Sequence, residues 1–263
     1  MALLDSMAVI RLMRKVSVLA ILLVFGLGKL HWEQRLTEDH RNAYFHGAKL
    51  NLGLRQQIGQ FGFVAALSGF RSLVADLLWI RAHSAWEATQ WGRMALLFNN
   101  VTALQPRAIT FWDMAAWHMA WNASVAARED RHQPREALRI KAQREYFELG
   151  KDFLVRGIQN NPDRWNLYFS LGNLYKEKYR DHLHAAEQFR LAAQFHDAPV
   201  YVHRFAVYEL AKVPGKEREA YTQLVELYQK GINERVPTLT EQIQRLQISL
   251  NIPPEQRIKI ENP

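Results

Sequence analysis

The chain has 263 residues, with 34 lysines and arginines against 26 aspartates and glutamates, and therefore a net charge of +8. Its content of 48% hydrophobic and 23% charged residues is typical of a folded globular protein and excludes a disordered chain. Cysteine is absent, which excludes disulfides, thiolate metal sites, cysteine nucleophiles and a lipid-modified cysteine.

An uncharged, mostly apolar stretch occupies residues 16–28, between Lys15 and Lys29. As a helix it is about 20 Å long, which is shorter than a hydrocarbon core of about 30 Å. Extended lysine side chains at both ends and an interfacial Trp32 can make up the difference. The sequence therefore predicts a signal-anchor, a transmembrane helix, over residues 16–32.

The charge around this stretch predicts its orientation. Arg11 and Arg14 precede it, so residues 1–15 are expected in the cytoplasm and the body of the chain outside it. A cleaved signal peptide is the alternative, because Gly26 and Gly28 are small residues before a possible cut, and the body is then secreted or periplasmic. A buried helix of a soluble protein is a third interpretation.

Residues 33–68 are predicted to form a juxtamembrane stalk, since most of them are polar and compatible with a helix. Within and just beyond the stalk, residues 61–70 form a second apolar stretch that is too short to span a membrane. It is interpreted as a buried corner between helices, with contact to a membrane surface as the alternative.

From residue 70 onward the apolar residues keep helical spacing. Leu73, Leu77 and Ile80 form one stripe, and Leu78 and Ala82 lie beside it. No segment after residue 60 alternates between apolar and polar residues for long enough to predict a sheet. The body is therefore predicted to be all-α.

Three prolines are each followed, six residues later, by an aromatic residue. The prolines lie 56 and then 37 residues apart, and the aromatic residues keep the same intervals. The pairs are Pro106 and Trp112, Pro162 and Tyr168, and Pro199 and Phe205. These equal offsets indicate an internal repeat.

The repeat resembles the tetratricopeptide repeat, a helix–turn–helix unit of 34 residues. The matching positions of the best copy are Tyr168, Leu171, Gly172 and Tyr175 in its first helix and Ala185, Phe189 and Ala192 in its second. Two or three degenerate copies flank it. One has a long second helix over residues 134–160, and one is a leading helical pair over about residues 69–105. The resemblance implies a solenoid of helical hairpins over residues 69–236, and an irregular helical bundle is the alternative.

Residues 237–263 are predicted to close the stack, because a terminal repeat otherwise exposes core surface. Thr238 and Glu241 fit a capping box at the start of an amphipathic helix. The apolar residues of this helix are Ile243, Leu246 and Leu250. The tail after Asn251 is expected to be extended.

In the tetratricopeptide family the first helix of each pair lines a concave groove that binds a protein or peptide. The positions that this resemblance assigns to the groove are Thr110, Asp113, Trp117 and Ala120, then Asn166, Phe169, Asn173 and Lys176, then His203, Ala206, Leu210 and Val213. Asn173 matches an asparagine that holds a peptide backbone, but Phe169 replaces the lysine of a carboxylate-gripping groove. Trp117 either anchors the partner or packs into the core.

Catalytic, phosphate-binding and metal-binding signatures are missing from the sequence. His182 and His184 lie two residues apart in a predicted turn and are interpreted as solvated side chains, so no metal or cofactor is expected. Aromatic and basic residues alternate over residues 175–180, a pattern that can suit nucleic acid. An exported chain rarely meets nucleic acid, so a solvated helix face or contact with lipid or an acidic partner is favoured.

These observations predict a non-catalytic, membrane-anchored scaffold or assembly factor on the extracytoplasmic side. One alternative is a structural subunit of a larger membrane complex. A second is an envelope enzyme whose site combines scattered residues such as Glu87, Asp113 and His118. The sequence contains no indication of the partner's identity or of the oligomeric state.

Overall fold

A computed structural model describes residues 69–260, together with residues 13, 16, 17, 20, 21 and 24. Every regular element in this part of the chain is helical, which confirms the all-α prediction. The chain divides into two compact units, Met1–Phe111 and Trp112–Pro263.

The predicted anchor over residues 16–32 lies mostly outside the described residues. So do residues 1–15, apart from residue 13, and the whole stalk over residues 33–68. Among the residues that are described, no helix has both the length and the apolar character needed to cross a membrane.

Two helices of the N-terminal unit, α1 (Arg71–Glu87) and α2 (Trp91–Leu104), form a hairpin. A three-residue turn joins them, with Thr89 in the left-handed region at φ 53°. Val74 and Leu78 of α1 pack in one cluster with Val101 of α2. This hairpin is the leading helical pair that the sequence predicts.

The hairpin buries only one of the two stripes on α1. Leu78 and Ala82 are buried, whereas Leu73, Leu77 and Ile80 are 52%, 55% and 61% exposed. Small residues such as Ala82 let the axis of α2 come close, so the stripe with the smaller side chains is the one that contacts α2. An apolar face of α1 is left open to solvent.

A long helical segment begins at Ile109, and its residues from Trp112 onward belong to the C-terminal unit. Helix α3 (Ile109–Trp117) continues through a π-helical segment (His118–Ala123) into the short helix α4 (Ser124–Arg128). After a loop, α5 (Glu136–Asn160) returns against this segment, close to the predicted bounds of 134–160.

The remaining elements follow in sequence order, and each helix packs against the next one. They are α6 (Trp165–Leu174) with a π-helical end (Tyr175–Tyr179), α7 (His182–Ala192), α8 (Tyr201–Leu210), α9 (Glu217–Gln229) and α10 (Pro237–Ser249), with short 3-10 turns at Ile232–Glu234 and Pro254–Gln256.

Glycines allow the closest helix approaches in this unit. A Cβ atom on Gly172 of α6 would lie 2.6 Å from the ring of Phe189 on α7. A Cβ atom on Gly157 would lie 2.9 Å from the Cβ of Trp112. The ring of Phe189 also lies 5.5 Å from that of Phe205, which connects α7 to α8.

Burial repeats along this unit with an interval of 35 residues. Seven of the eight buried positions of α6 and α7 recur in α8 and α9 with the same spacing. The matched residues are Leu167 and Val202, Leu171 and Ala206, Gly172 and Val207, Leu174 and Glu209, Ala185 and Ala220, Phe189 and Leu224, and Ala192 and Leu227. The prolines repeat at 37 because they lie in the loops, where residues can be added without changing the helix contacts.

The C-terminal helix covers the exposed side of α9, with Ile243 and Leu246 buried in one cluster with Leu224. The predicted capping box is wrong. Helix α10 starts at Pro237, whose fixed φ suits the first helical position, so Thr238 already lies inside the helix and cannot cap it.

The tail is not freely extended either. It forms a 3-10 turn at Pro254–Gln256, and Ile258 and Ile260 then pack against the terminal core cluster. The Gln247 side chain donates a hydrogen bond to the carbonyl of Ile258 at 3.4 Å. The tail thus forms part of the seal on the last helices.

We expect Gly172→Ala to lower the free energy of unfolding by about 1–3 kcal/mol, because the buried ring of Phe189 has no room to move away from the added methyl group. Urea unfolding of the full chain, followed by circular dichroism, measures this loss. Gly92→Ala is the control, since no atom lies within 4 Å of the point that the new Cβ would occupy and alanine favours the helix. Equal stability of the two variants would contradict the close approach.

Candidate functional site

The face shared by α3 and α6 is the candidate site. Asp113 and Trp117 lie one turn apart on α3, and both are exposed. The Ser170 side chain of α6 lies close to the Asp113 carboxyl group. This proximity brings together the two helix faces that the sequence assigns to one groove.

Asp113 is reached by solvent, yet protein atoms surround its carboxyl group. Burial raises the pKa of Asp113 above its ordinary value, and the nearby Ser170 side chain lowers it by a smaller amount. The carboxylate can therefore meet a ligand while its hydration is incomplete.

Asn166 and Asn173 lie on the same face of α6 as Ser170, at helical spacing. Both are half-buried. Within residues 69–260 neither side chain amide makes a hydrogen bond to another side chain or to the backbone. Amides placed in this way can pair with the backbone of an extended peptide.

Trp117 is 46% exposed, and its ring meets that of His118 edge-on at 4.9 Å. It is therefore not a core residue packed against α5, which was the alternative interpretation of its sequence. The buried contact between α3 and α5 is made instead by Trp112 of α3 and Phe153 of α5, whose ring centroids lie 6.4 Å apart.

Phe169 and Lys176, two other predicted groove residues, contribute to the packing between helices. The ring of Phe169 lies 5.1 Å from that of Phe189 and 5.4 Å from that of Phe205. The Lys176 ammonium lies over the Phe205 ring at 5.5 Å and pairs with Glu177 at 3.0 Å. Both side chains are half-buried.

His203 lines a cavity of about 500 Å³ with Glu219 of α9 and with Lys230, which directly follows that helix. Burial lowers the pKa of His203, and the charge of Lys230 lowers it further. By the 35-residue burial interval, Tyr201 and not His203 is equivalent to Asn166. The assignment of His203 to the groove followed the proline interval and stays a prediction.

Two other residues assigned to the groove are buried, so these assignments are wrong. Ala120 is fully buried in the π-helical segment, and Ala206 packs against α7 in one cluster with Ala185 and Phe189. Leu210 and Ala206 border a second, smaller cavity that shares His203 and Gln223 with the first. The 37-residue interval between prolines pairs Ala206 and Leu210 with residues of α6. The 35-residue burial interval pairs them with residues two positions away from those.

His182 is not a solvated turn residue, because α7 begins at that position. Its Nδ1 lies 2.7 Å from the buried carboxylate of Glu209, which also accepts a hydrogen bond from Lys212 at 2.6 Å. His184 Nδ1 lies 2.6 Å from the Asp181 carboxylate. Glu209 was missed because it occupies the position of an apolar core residue, Leu174, in the preceding pair.

Much of the alternating aromatic and basic segment is engaged within the fold. The Lys178 ammonium lies 4.8 Å from the ring of Trp121 and 5.7 Å from that of Phe147, and burial lowers its pKa. The Tyr179 hydroxyl donates a hydrogen bond to Glu148 at 2.7 Å. These contacts account for the pattern without a nucleic acid.

The residues suggested for a scattered catalytic site have other partners. Glu87 lies 3.6 Å from His83, one turn back on α1. His118 is buried, and its Nδ1 lies 3.0 Å from the Asn122 side chain within the π-helical segment. Comparison of the chain with protein-family models, curated proteins and solved structures finds no match.

We expect Asp113→Asn to stabilise the protein at neutral pH. A raised pKa means that the folded chain holds this proton more tightly than the unfolded chain, so stability falls as the pH rises through the window between the ordinary value of 3.8 and the raised folded value. The gain is about 1 kcal/mol or less, because the side chain is partly exposed. Thermal unfolding at pH 7 and below pH 3.8 measures it.

The difference between the variant and the parent should shrink at the lower pH, where Asp113 is protonated in both states. Asp197→Asn, in the exposed loop after α7, is the matched control and should leave stability unchanged at both pH values. A less stable Asp113→Asn protein at pH 7 would show that the carboxylate supports the fold.

Proposed function

We infer that the chain is a membrane-anchored scaffold or assembly factor, with a tetratricopeptide-like solenoid that binds a protein partner. The sequential helix packing and the 35-residue burial interval support the repeat. The exposed ring of Trp117, on the α3 face that lies near Ser170 of α6, is the observation that carries the proposal, because an accessible tryptophan is a common anchor for a protein partner.

Binding would use chemistry already arranged on that surface. The exposed ring of Trp117 supplies apolar area at a low entropic cost, which is the usual role of an interface tryptophan. The amides of Asn166 and Asn173 pair with the backbone of the partner. Confinement by the predicted anchor raises the effective concentration of the site at the membrane.

A structural subunit of a larger membrane complex is the second candidate. The observation that favours it is the apolar face of α1, where Leu73, Leu77 and Ile80 are each more than half exposed. A contiguous exposed stripe of this kind commonly marks a surface that another protein covers.

Site-specific photocrosslinking in cells tests the docking surface. We expect a photoreactive residue in place of Trp117 to capture a discrete protein partner, because that side chain lies at the centre of the proposed contact. Val155 on α5 has a comparable exposure of 38% and is the matched control position. Capture from Val155 and not from Trp117 would contradict the proposal.

A third crosslinking position at Leu77 separates the two candidate functions. A scaffold with one docking surface gives products only at Trp117, whereas a permanent subunit gives products at Leu77 in every preparation. Replacing Asn173 by alanine should weaken capture at Trp117 and leave the melting temperature unchanged, since its amide has no partner within residues 69–260.

The anchor has its own test. We expect the full chain to stay with membranes through a carbonate wash and its body to be digested by protease added from outside the cytoplasm. Deleting residues 1–32 should release the body from membranes, because the predicted hydrophobic helix is then absent. A body that is protected from external protease in intact cells would overturn the predicted orientation.

A further inference from the structure

The cavity that His203 lines lies within a single helical hairpin, that of α8 and α9. It has a volume of about 500 Å³, and its other lining residues belong to α9 or, like Lys230, directly follow that helix. Leu227 is 2% exposed and supplies the apolar part of the lining. The volume falls within the range of about 300–1,000 Å³ that is usual for ligand-binding sites. The cavity is therefore large enough to take a side chain of another protein.

Aromatic rings occupy the equivalent positions of the preceding hairpin. By the 35-residue burial interval, His203 is equivalent to Tyr168, and Lys230 is equivalent to Phe195. The ring centroids of Tyr168 and Phe195 lie 5.5 Å apart, so these rings connect α6 to the segment that follows α7. In the hairpin of α8 and α9 an imidazole and an ammonium group replace the two rings, and the cavity lies beside them. Its space therefore suits an aromatic ring.

Two opposite charges in the cavity are available to a ligand. Glu226 and Lys230 lie one turn apart, and within residues 69–260 neither side chain forms an ion pair. Both side chains are exposed. Burial lowers the pKa of His203, so its imidazole is uncharged at neutral pH and offers an aromatic face. The cavity thus combines a hydrogen-bond acceptor, a cation and an aromatic ring.

A similar pair of acid and cation already binds a tyrosine within this unit. On α5, the Glu148 carboxylate accepts a hydrogen bond from the Tyr179 hydroxyl at 2.7 Å. The Lys151 ammonium lies 5.1 Å from the centroid of the same ring. A charge-assisted hydrogen bond and a cation–π contact therefore act on one phenol ring. Glu226 and Lys230 place the same two groups beside the cavity, whose lining contains no tyrosine.

We propose that the cavity beside His203 binds a tyrosine side chain of the protein partner. The ring packs between the imidazole of His203 and the apolar surface of Leu227. Lys230 then lies over the ring, and Glu226 accepts a hydrogen bond from the phenol hydroxyl. A phosphorylated tyrosine is excluded, because its charge would meet the carboxylate of Glu226. The proposal rests on the docking function inferred above and adds a residue that the partner must carry.

The test uses the full-length chain in neutral detergent and a defined probe, the blocked peptide acetyl-Gly-Gly-Tyr-Gly-Gly-amide. Titration is followed by the ring-proton resonances of His203, assigned with His203→Gln. Peptides with phenylalanine, leucine or phosphotyrosine at the centre are matched probes. We expect the tyrosine peptide to shift these resonances saturably and to bind about tenfold more tightly than the phenylalanine peptide, which lacks the hydroxyl. The leucine and phosphotyrosine peptides should bind more weakly still.

Two variants test the contacts separately. Glu226→Ala should remove the tenfold advantage of tyrosine over phenylalanine, because the hydroxyl loses its acceptor. Glu241→Ala, at an exposed position of α10, is the matched control and should leave binding unchanged. Lys230→Phe should abolish binding, because the new ring fills the cavity as Phe195 fills the equivalent space of the preceding hairpin.

Circular dichroism of the variants confirms that they are folded. Binding of the phenylalanine or leucine peptide as tight as that of the tyrosine peptide would overturn the proposal. So would full binding of the tyrosine peptide by Glu226→Ala or by Lys230→Phe. If the peptide tests fail while crosslinking at Trp117 still captures a partner, the tyrosine assignment is wrong and the docking function stands.

Discussion

The close contact between Gly172 and the ring of Phe189 fixes the geometry on which the described part of the C-terminal unit depends. Because α6 has no side chain at Gly172, α7 can approach until an aromatic ring fills the gap. The same ring then meets Phe169 and Phe205, so the position of α7 determines that of α8. Small residues set the spacing and aromatic rings transmit it along the chain.

This packing divides the aromatic residues into two groups with different roles. Phe169 and Phe205 have rings on several sides and contribute to the interior. Trp117 lies on the same kind of helix face as Phe169 but remains exposed. The residues that the family resemblance assigns to a groove therefore include some that pack in the interior and some that are exposed. Only their contacts in the structure distinguish the two kinds.

Sequence reasoning predicted the helices and the long α5, because periodicity and prolines report directly on them. It could not predict which of the two apolar stripes on α1 is buried. Both stripes have helical spacing, and the outcome depends on how closely α2 approaches. It placed His203 in register by counting between prolines, although loops vary in length while buried positions do not. Nothing in the sequence identified Glu209 as a buried acid, because only the folded structure places it beside His182 and Lys212.

The helix faces that the family resemblance assigns to a groove differ between the two ends of the unit. By the burial interval, Arg204 of α8 is equivalent to Phe169 of α6, and it pairs with Glu234 from the following turn. Both of these side chains are largely hidden, so the chain's own residues satisfy the charge at this end. At the other end Asp113 is exposed, although neighbouring atoms partly bury its carboxyl group and raise its pKa. A fold in which each helix packs on its sequence neighbours can leave such a side chain accessible, because only the faces between neighbouring helices have to be buried.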